Sequence, residues 1–315
     1  TTTIHEHGFS GAFKVLEGKS VHSRYTFEET FKVDSHLKIG RLSRKETNLL
    51  KRGDCHSIYG GSTLIHSLFH LVQPSATIVI RTHRDPDVEA QLTYYPPNLG
   101  YRPYSNDKMN PLYERRFQIL DQPVLRDPQE YLSMATEIIT NSDENLCVRV
   151  LQHAIYSDIY ESIVPDLIRN AADRHGNWVH EMIPSIHEGF RSHLVNQSRA
   201  YIEDPSQRFF LALLASYLDR NSILELMSKQ FPESDPIEKI MELVPEMSGV
   251  DRVGIDFDEV NMDIFRILLE GTPDEQVPTK LEEIYDSKEI EAQKEALKSH
   301  IQKMKASPVF TRLFL

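Results

Sequence analysis

The sequence has no run of about 18 apolar residues, the length a membrane-crossing helix needs. It opens on three threonines and a histidine pair, not on the basic and apolar regions of a signal peptide. Its two cysteines, Cys55 and Cys147, lie far apart and show no disulfide-framework spacing, which points to a reducing, cytoplasmic setting. Positive charge is outnumbered by negative past the first third. Residues 1–110 carry a net charge of +3 and residues 111–315 a net charge of -15, within a total of -12. So acidic a second part excludes nucleic acid as the main partner. There is no low-complexity segment, no repeat of fixed period and no heptad seam for a coiled coil. What is present is a 315-residue chain with 40% hydrophobic residues, enough for real cores and for two domains of ordinary size.

The two parts have different rhythms. "AFKVLEG", "SVHSRYTFEETFKV", "HLKIGRL", "TNLLKRGDCHSIYGG" and "SATIVIRTH" are rich in β-branched and aromatic residues, with turn signals at Gly18-Lys19 and Gly60-Gly61. No 3.6-residue period appears before residue 111, so residues 1–110 read as an antiparallel sandwich or barrel. "YPPNLGYRPYSNDKMNPL" (95–112) holds four prolines and three tyrosines, Tyr95, Tyr101 and Tyr104, and reads as an irregular inter-domain connection or a lid. Residues 111–315 read as eight to ten helices. "DPQEYLSMATEIIT", "DPSQRFFLALLASYLDRNSILELM" and "DPIEKIMELVPEM" each open on an Asp N-cap with Pro at the first helical position. "DFDEVNMDIFRILLEG" ends on a capping glycine, and "KLEEIYDSKEIEAQKEALKSHIQKMK" reads as one long polar helix laced with Glu–Lys pairs. The fold class expected is α+β, an all-β domain over 1–110 followed by a multi-helix domain over 111–315.

The chemistry-bearing residues concentrate near the start. In "TIHEHGFSGAFKVLEG", His5 and His7 alternate with Glu6, so on a strand both imidazoles face one side and can hold one metal ion. The spacing continues as three residues, Gly11, six residues, Gly18. This resembles the first metal motif of the cupin superfamily: H-x-H, three or four residues, Glu, six residues, Gly. Gly11 stands where most cupins carry the Glu ligand, a loss shared with the thiol dioxygenase branch, and the stretch looks like that of cysteine dioxygenase. The resemblance runs over residues 3–86 and implies a cupin-like antiparallel β-barrel, with strands ahead of Thr1. It also implies a third histidine ligand from a later strand, which "LLKRGDCHSIYGG" supplies at His56. The sequence departs from cysteine dioxygenase in two respects. Ile80 and Thr82 stand where that enzyme carries the His and Tyr of a hydrogen-bond chain, and the helical part has no counterpart there.

With His5, His7 and His56 as ligands, the resemblance implies a mononuclear non-haem Fe(II) oxygenase that oxidises a small substrate with O₂. Zn(II), Mn(II) and Ni(II) stay open as alternative metals. His66 and His70 in "TLIHSLFHL" are four apart and share a face on a helix or a strand; they are candidate acid–base groups or donors behind the ligands. Arg81 and Arg24 are candidate forks for an anionic group and Tyr25 a candidate donor to bound oxygen. Cys55, next to His56, faces away on a regular strand. "RHGNWVHEMIPSIHEGFRSH" concentrates His175, His180, His187 and His193 but lacks the paired Glu-x-x-His of a helical di-iron site. Two further readings stay open: a non-catalytic cupin sensor with a helical interaction domain, and a Zn- or Mn-dependent isomerase or hydrolase. The helical part could cap the pocket, form a homo-oligomer interface or recognise a larger substrate.

Overall fold

The computed structural model describes residues 3–89, 91–102, 111–120, 127–247 and 255–315. Strands come first: β1 (Ile4–His7), β2 (Gly11–Glu17), β3 (Lys19–Lys32), β4 (Leu37–Lys51), β5 (Cys55–Ile58), β6 (Gly61–His70), β7 (Ala76–Arg81), β8 (Thr93–Tyr95) and β9 (Leu99–Tyr101). Six of them close an antiparallel barrel in the order β1-β6-β3-β4-β9-β8, and β1 also pairs with β8. The other three form a separate sheet, β5-β2-β7. The α+β class therefore stands, with the strands ahead of the helices.

Alternation along the strands sorts the barrel residues onto two faces. Ile4, Tyr25, Leu42, Ile65, Leu92 and Tyr94 make one buried cluster, with Phe27 packed on it. One position on from Ile4 and Ile65, His5 and His66 point the other way. That second face carries Leu64 and Leu50, which pack with Phe13, Val15 and Ile58 of the three-stranded sheet. The histidines thus lie between the β1-β6-β3 wall and the small sheet.

The expected irregular connection over 95–112 is structured in its first part. Thr93–Tyr95 and Leu99–Tyr101 are paired strands, and the Pro96-Pro97 pair sits in the turn between them. Proline has no N–H for a ladder, so the run that reads as a loop is the turn of a hairpin. Tyr101 is fully buried and its hydroxyl donates to Asn145 Oδ1 at 3.2 Å. Tyr104 lies outside the described residues.

Helices follow: α1 (Pro111–Leu120), α2 (Pro128–Thr140), α3 (Glu144–Ile155), α4 (Val164–His175), α5 (Trp178–Ser198), α6 (Pro205–Ala215), α7 (Arg220–Gln230), α8 (Pro236–Leu243), α9 (Glu259–Leu269), α10 (Val277–Leu281), α11 (Ser287–Ala292) and α12 (Lys294–Ala306). Asp127, Asp204 and Asp235 cap α2, α6 and α8 as their Asp-Pro openings foretell. Gly271, at φ +88°, ends α9; its N–H and that of Thr272 reach back to the carbonyls of Leu268 and Ile267. Two of the segments read as helical hold more than one helix, and one of them is the stretch expected as a single long polar helix. Asp219 caps a new helix inside "DPSQRFFLALLASYLDRNSILELM", and Asp286 does the same inside the polar "KLEEIYDSKEIEAQKEALKSHIQKMK". In both cases an Asp side chain competes for backbone N–H groups and starts a fresh helix. Twelve α-helices, rather than eight to ten, are present among the described residues.

The chain divides into two compact units, Thr1–Phe190 and Arg191–Leu315, so the division falls later than the boundary expected at residue 110. The reason is burial. Leu37, Ile39, Leu99 and Tyr101 are at most 1% exposed, and they share one core with Leu120, Tyr131, Ile139, Leu151, Val179 and Ile186 of the helices. Ser185 Oγ accepts from the Asn98 backbone N–H at 3.0 Å, and Asn145 Nδ2 donates to the Arg102 carbonyl at 3.0 Å. Burying each such Leu or Ile is worth roughly 1.5–3 kcal/mol, so barrel and helices of this unit stabilise each other. These contacts run through β4, β8 and β9, whereas His5, His7 and His66 sit on β1 and β6. The second unit has its own core, where Phe265 meets Phe257, Phe310 and Phe314 edge to face. No helix among the described residues is long and apolar enough to cross a membrane.

Candidate metal centre

Three histidines converge: His5 and His7 from β1 and His66 from β6. Their ring centroids lie 4.8 Å (His5–His7), 4.8 Å (His5–His66) and 4.9 Å (His7–His66) apart, close to an equilateral triangle. The potential ligand atoms are all within 4.8 Å of one another, the one such group of three among the described residues. The antiparallel register brings them together: His5 stands opposite His66, and the register then shifts so that His7 stands opposite Gly61. Irregularities of this kind re-aim side chains at sites.

The donor atoms suit a metal. His5 Nδ1 is 2.9 Å from the Thr3 carbonyl oxygen. A carbonyl only accepts, so the Nδ1 carries the proton and the Nε2 lone pair is left for an ion. His7 Nε2 and His66 Nε2 are 2.8 Å apart. Two imidazole nitrogens bound at right angles to one first-row ion, each at about 2.1 Å, lie about 3 Å apart. The three imidazoles are also neutral at neutral pH. Burial, first, and the Coulombic effect of neighbouring His5 and Arg81 lower the His7 pKa to about 4. Burial, then the charges of His5, His22 and His7, lower that of His66 to about 2. Burial also lowers the His5 pKa.

His22, on β3, stands behind His66. Its Nε2 is 2.9 Å from His66 Nδ1, and it is 2% exposed. Its own pKa is lowered to about 4, chiefly by burial. Sequence reasoning missed it; the one available signal is its place in "SVHSRY", where it alternates with Val21 and Ser23.

His56, the expected third ligand, is not in the triangle. It lies on β5 of the small sheet, with its ring stacked on Phe13 at 5.4 Å and edge-on to His22 at 5.6 Å. The chain after Lys51 turns at Gly53 and joins the other sheet, which takes His56 off the strand that faces β1. His70 shares β6 with His66, but four residues along, about 13 Å away, and bonds Ser20 Oγ at 2.8 Å. Tyr25 is register partner to Ile65, not His66, and is buried in the cluster on the opposite face. Arg24 pairs with Glu46 at 2.9 Å. Cys55 is exposed.

Arg81 is placed at the rim. Its guanidinium lies 4.4 Å from the centroid of Phe9, and Phe9 lies 4.7 Å from the His7 ring. His7, Gly8 and Phe9 are half-buried, so the site opens on this side. A side chain at Gly8 would meet nothing within 4 Å, which marks open space beside His7. The segment after β7 holds this rim in place. Ser10 Oγ donates to Asp85 Oδ2 at 2.9 Å, and the Asp85 N–H donates to the Gly8 carbonyl at 3.0 Å. Gly11, by contrast, leaves no space for the carboxylate that most cupins carry there. A Cβ would come within 2.2 Å of the Ile80 carbonyl oxygen.

Among the described residues, the histidines of the helical part form no comparable group. His175 Nε2 bonds the Ile139 carbonyl at 3.0 Å and His193 Nε2 bonds Gln197 at 2.8 Å. Comparison with known proteins finds no matching family model, no matching curated protein and no matching solved structure.

Proposed function

We propose that the protein is a mononuclear metal enzyme of cupin type, an oxygenase like the thiol dioxygenases, with His5, His7 and His66 as the ligands of Fe(II). The observation that carries this reading is the near-equilateral triangle of neutral imidazoles on a β-barrel wall. Three neutral ligands on one face leave the ion its full charge. Fe(II) held by these three histidines would supply the redox chemistry for oxidising a substrate with O₂. The chain's own residues do the rest. Thr3 fixes the His5 tautomer, the small sheet shields His66 from water, and Phe9 bounds the open side. Arg81, over the ring of Phe9, receives an anionic group of the substrate through its fork of N–H donors.

The test is metal content by mass spectrometry after anaerobic purification, for the wild type, His66→Ala and His56→Ala. Near-stoichiometric iron in the wild type and His56→Ala, lost in His66→Ala, supports the reading. Zinc or manganese with the same dependence overturns the redox chemistry in favour of a hydrolase or isomerase. No metal in any of the three overturns the enzyme reading in favour of a binding module.

A further inference from the structure

The ring of His66 has a polar neighbour at each nitrogen, His7 at Nε2 and His22 at Nδ1. A neutral imidazole has one donor and one acceptor nitrogen, so these two contacts are linked: the proton that serves one is withheld from the other. We propose that His22 is a positioning residue for the metal centre, accepting the Nδ1–H of His66 so that the His66 Nε2 lone pair faces His7 and His5. This inference rests on the three-histidine reading above.

The comparison with His5 shows what is particular about this arrangement. His5 has a carbonyl at its Nδ1, which only accepts, so its tautomer is the same with or without an ion. His66 has a second histidine there, which can accept or donate. Two hydrogen-bond polarities therefore satisfy the His7–His66–His22 chain. In one, His22 Nε2–H donates to His66 Nδ1 and His66 Nε2–H donates to His7. In the other, His66 Nδ1–H donates to His22, and His66 Nε2 is bare. A metal ion accepts only the second, so loading fixes the His66 proton on Nδ1 and leaves the His22 proton on its own Nδ1.

His22 is held where it can do this. It is register partner to Leu68 on one side and Asn48 on the other. Its ring meets Phe13 at 6.1 Å and 82°, and His56 at 5.6 Å and 75°, so it is walled on the small-sheet side. His56, the histidine that motif spacing marks as a ligand, thus packs against the group that orients the true third one. Partners that orient ligating histidines are typically worth about 10–100-fold in metal affinity.

The test is Co(II) affinity, by competition with a chelator, for the wild type, His22→Leu, His22→Gln and His66→Ala, alongside ¹⁵N spectra of the imidazoles with and without Zn(II). His22→Leu removes the acceptor and is expected to weaken Co(II) binding about 10–100-fold. In His22→Gln the amide oxygen reaches the place of Nε2, and affinity is expected to stay within about threefold of the wild type. Zn(II) is expected to bring His66 wholly to the Nδ1–H tautomer. A folded His22→Leu protein that binds Co(II) within twofold of the wild type overturns the inference. So does a Zn(II)-loaded wild type with the proton on His66 Nε2, and that spectrum decides alone if His22→Leu does not fold. Retention of Co(II) by His66→Ala instead overturns the three-histidine reading itself.

Discussion

His5 and His66 stand directly opposite each other across the antiparallel pair of β1 and β6. Directly opposed side chains on one face lie close enough to share a ligand. This pairing, with His7 two residues on, creates the triangle. It also places the site on the outer wall of the closed barrel, under the small sheet, rather than among the apolar side chains of the Ile4–Tyr25–Tyr94 cluster.

Gly11 tests how tightly that small sheet is built. In β2 it is register partner to Arg81 and to Ile58, and a Cβ there would meet the Ile80 carbonyl oxygen at 2.2 Å and Arg81 Cα at 2.8 Å. These are backbone atoms and cannot swing aside. Gly11→Ala is therefore expected to destabilise the protein by about 1–3 kcal/mol, read as a lower urea midpoint with an unchanged slope. An unchanged midpoint would mean that β7 is not held where it lies.

The buried histidines set a pH dependence. Each of His5, His7, His22 and His66 has its pKa lowered in the folded state, with His7 and His22 near 4 and His66 near 2. Below the unfolded value of about 6.5 the unfolded chain binds more protons than the folded one, so stability falls with falling pH. The loss begins near pH 6.5 and continues to about pH 4 for His7 and His22. Glu6 acts the other way, because burial raises its pKa. One carboxyl opposes four imidazoles, so the metal-free protein should melt at progressively lower temperature from pH 7 to pH 4.5. Calorimetry across that range is the check, and a flat or rising profile contradicts the burial of the cluster. Added Co(II) should raise Tm more at pH 7 than at pH 5, since protons compete for the same nitrogens.

Glu6, between His5 and His7 in sequence, points to the opposite face and is 5% exposed. Tyr94 donates to its Oε2 at 2.8 Å. Tyr94→Phe keeps the ring in its apolar cluster but leaves a buried carboxylate without that donor. The expected cost is about 1–3 kcal/mol at pH 7. The cost should shrink at pH 5, where the carboxyl is closer to neutral. Urea unfolding at the two pH values separates this from a loss of packing, which would not depend on pH.

Much of this was legible in the sequence, and the reason is locality. The H-x-H pair, the strand-to-helix change and the Asp-Pro caps are each set by residues a few positions apart. The third histidine of the triangle is not local. His56 and His66 are each strand residues a few positions after a glycine, Gly53 and Gly61, and only the strand pairing separates them: β6 pairs with β1, and β5 pairs with β2. Alternation carried a partial signal, since Leu64 and Leu68 flank His66 at two-residue spacing and make its face an apolar one. The late division of the chain has the same cause: Leu37 and Tyr101 look like ordinary barrel residues until the helices that bury them are in place.

In the function proposed above, Arg81 receives the anionic group of the substrate. No carboxylate ion-pairs with it among the described residues, and Phe9 holds its guanidinium beside His7. A charge-assisted hydrogen bond from this group to an anionic ligand is worth about 1.5–3 kcal/mol, or roughly 10- to 150-fold in Kd. Arg81→Gln should therefore weaken binding of a small carboxylate-bearing thiol to the Co(II)-loaded protein by that factor, read from the cobalt spectrum, with metal content unchanged. An uncharged thiol of the same size should bind wild type and variant alike. Because the guanidinium is exposed, added salt should weaken the carboxylate-bearing ligand in the wild type and leave the variant unaffected. Equal binding of both thiols by both proteins would remove Arg81 from substrate recognition and leave the metal centre untouched.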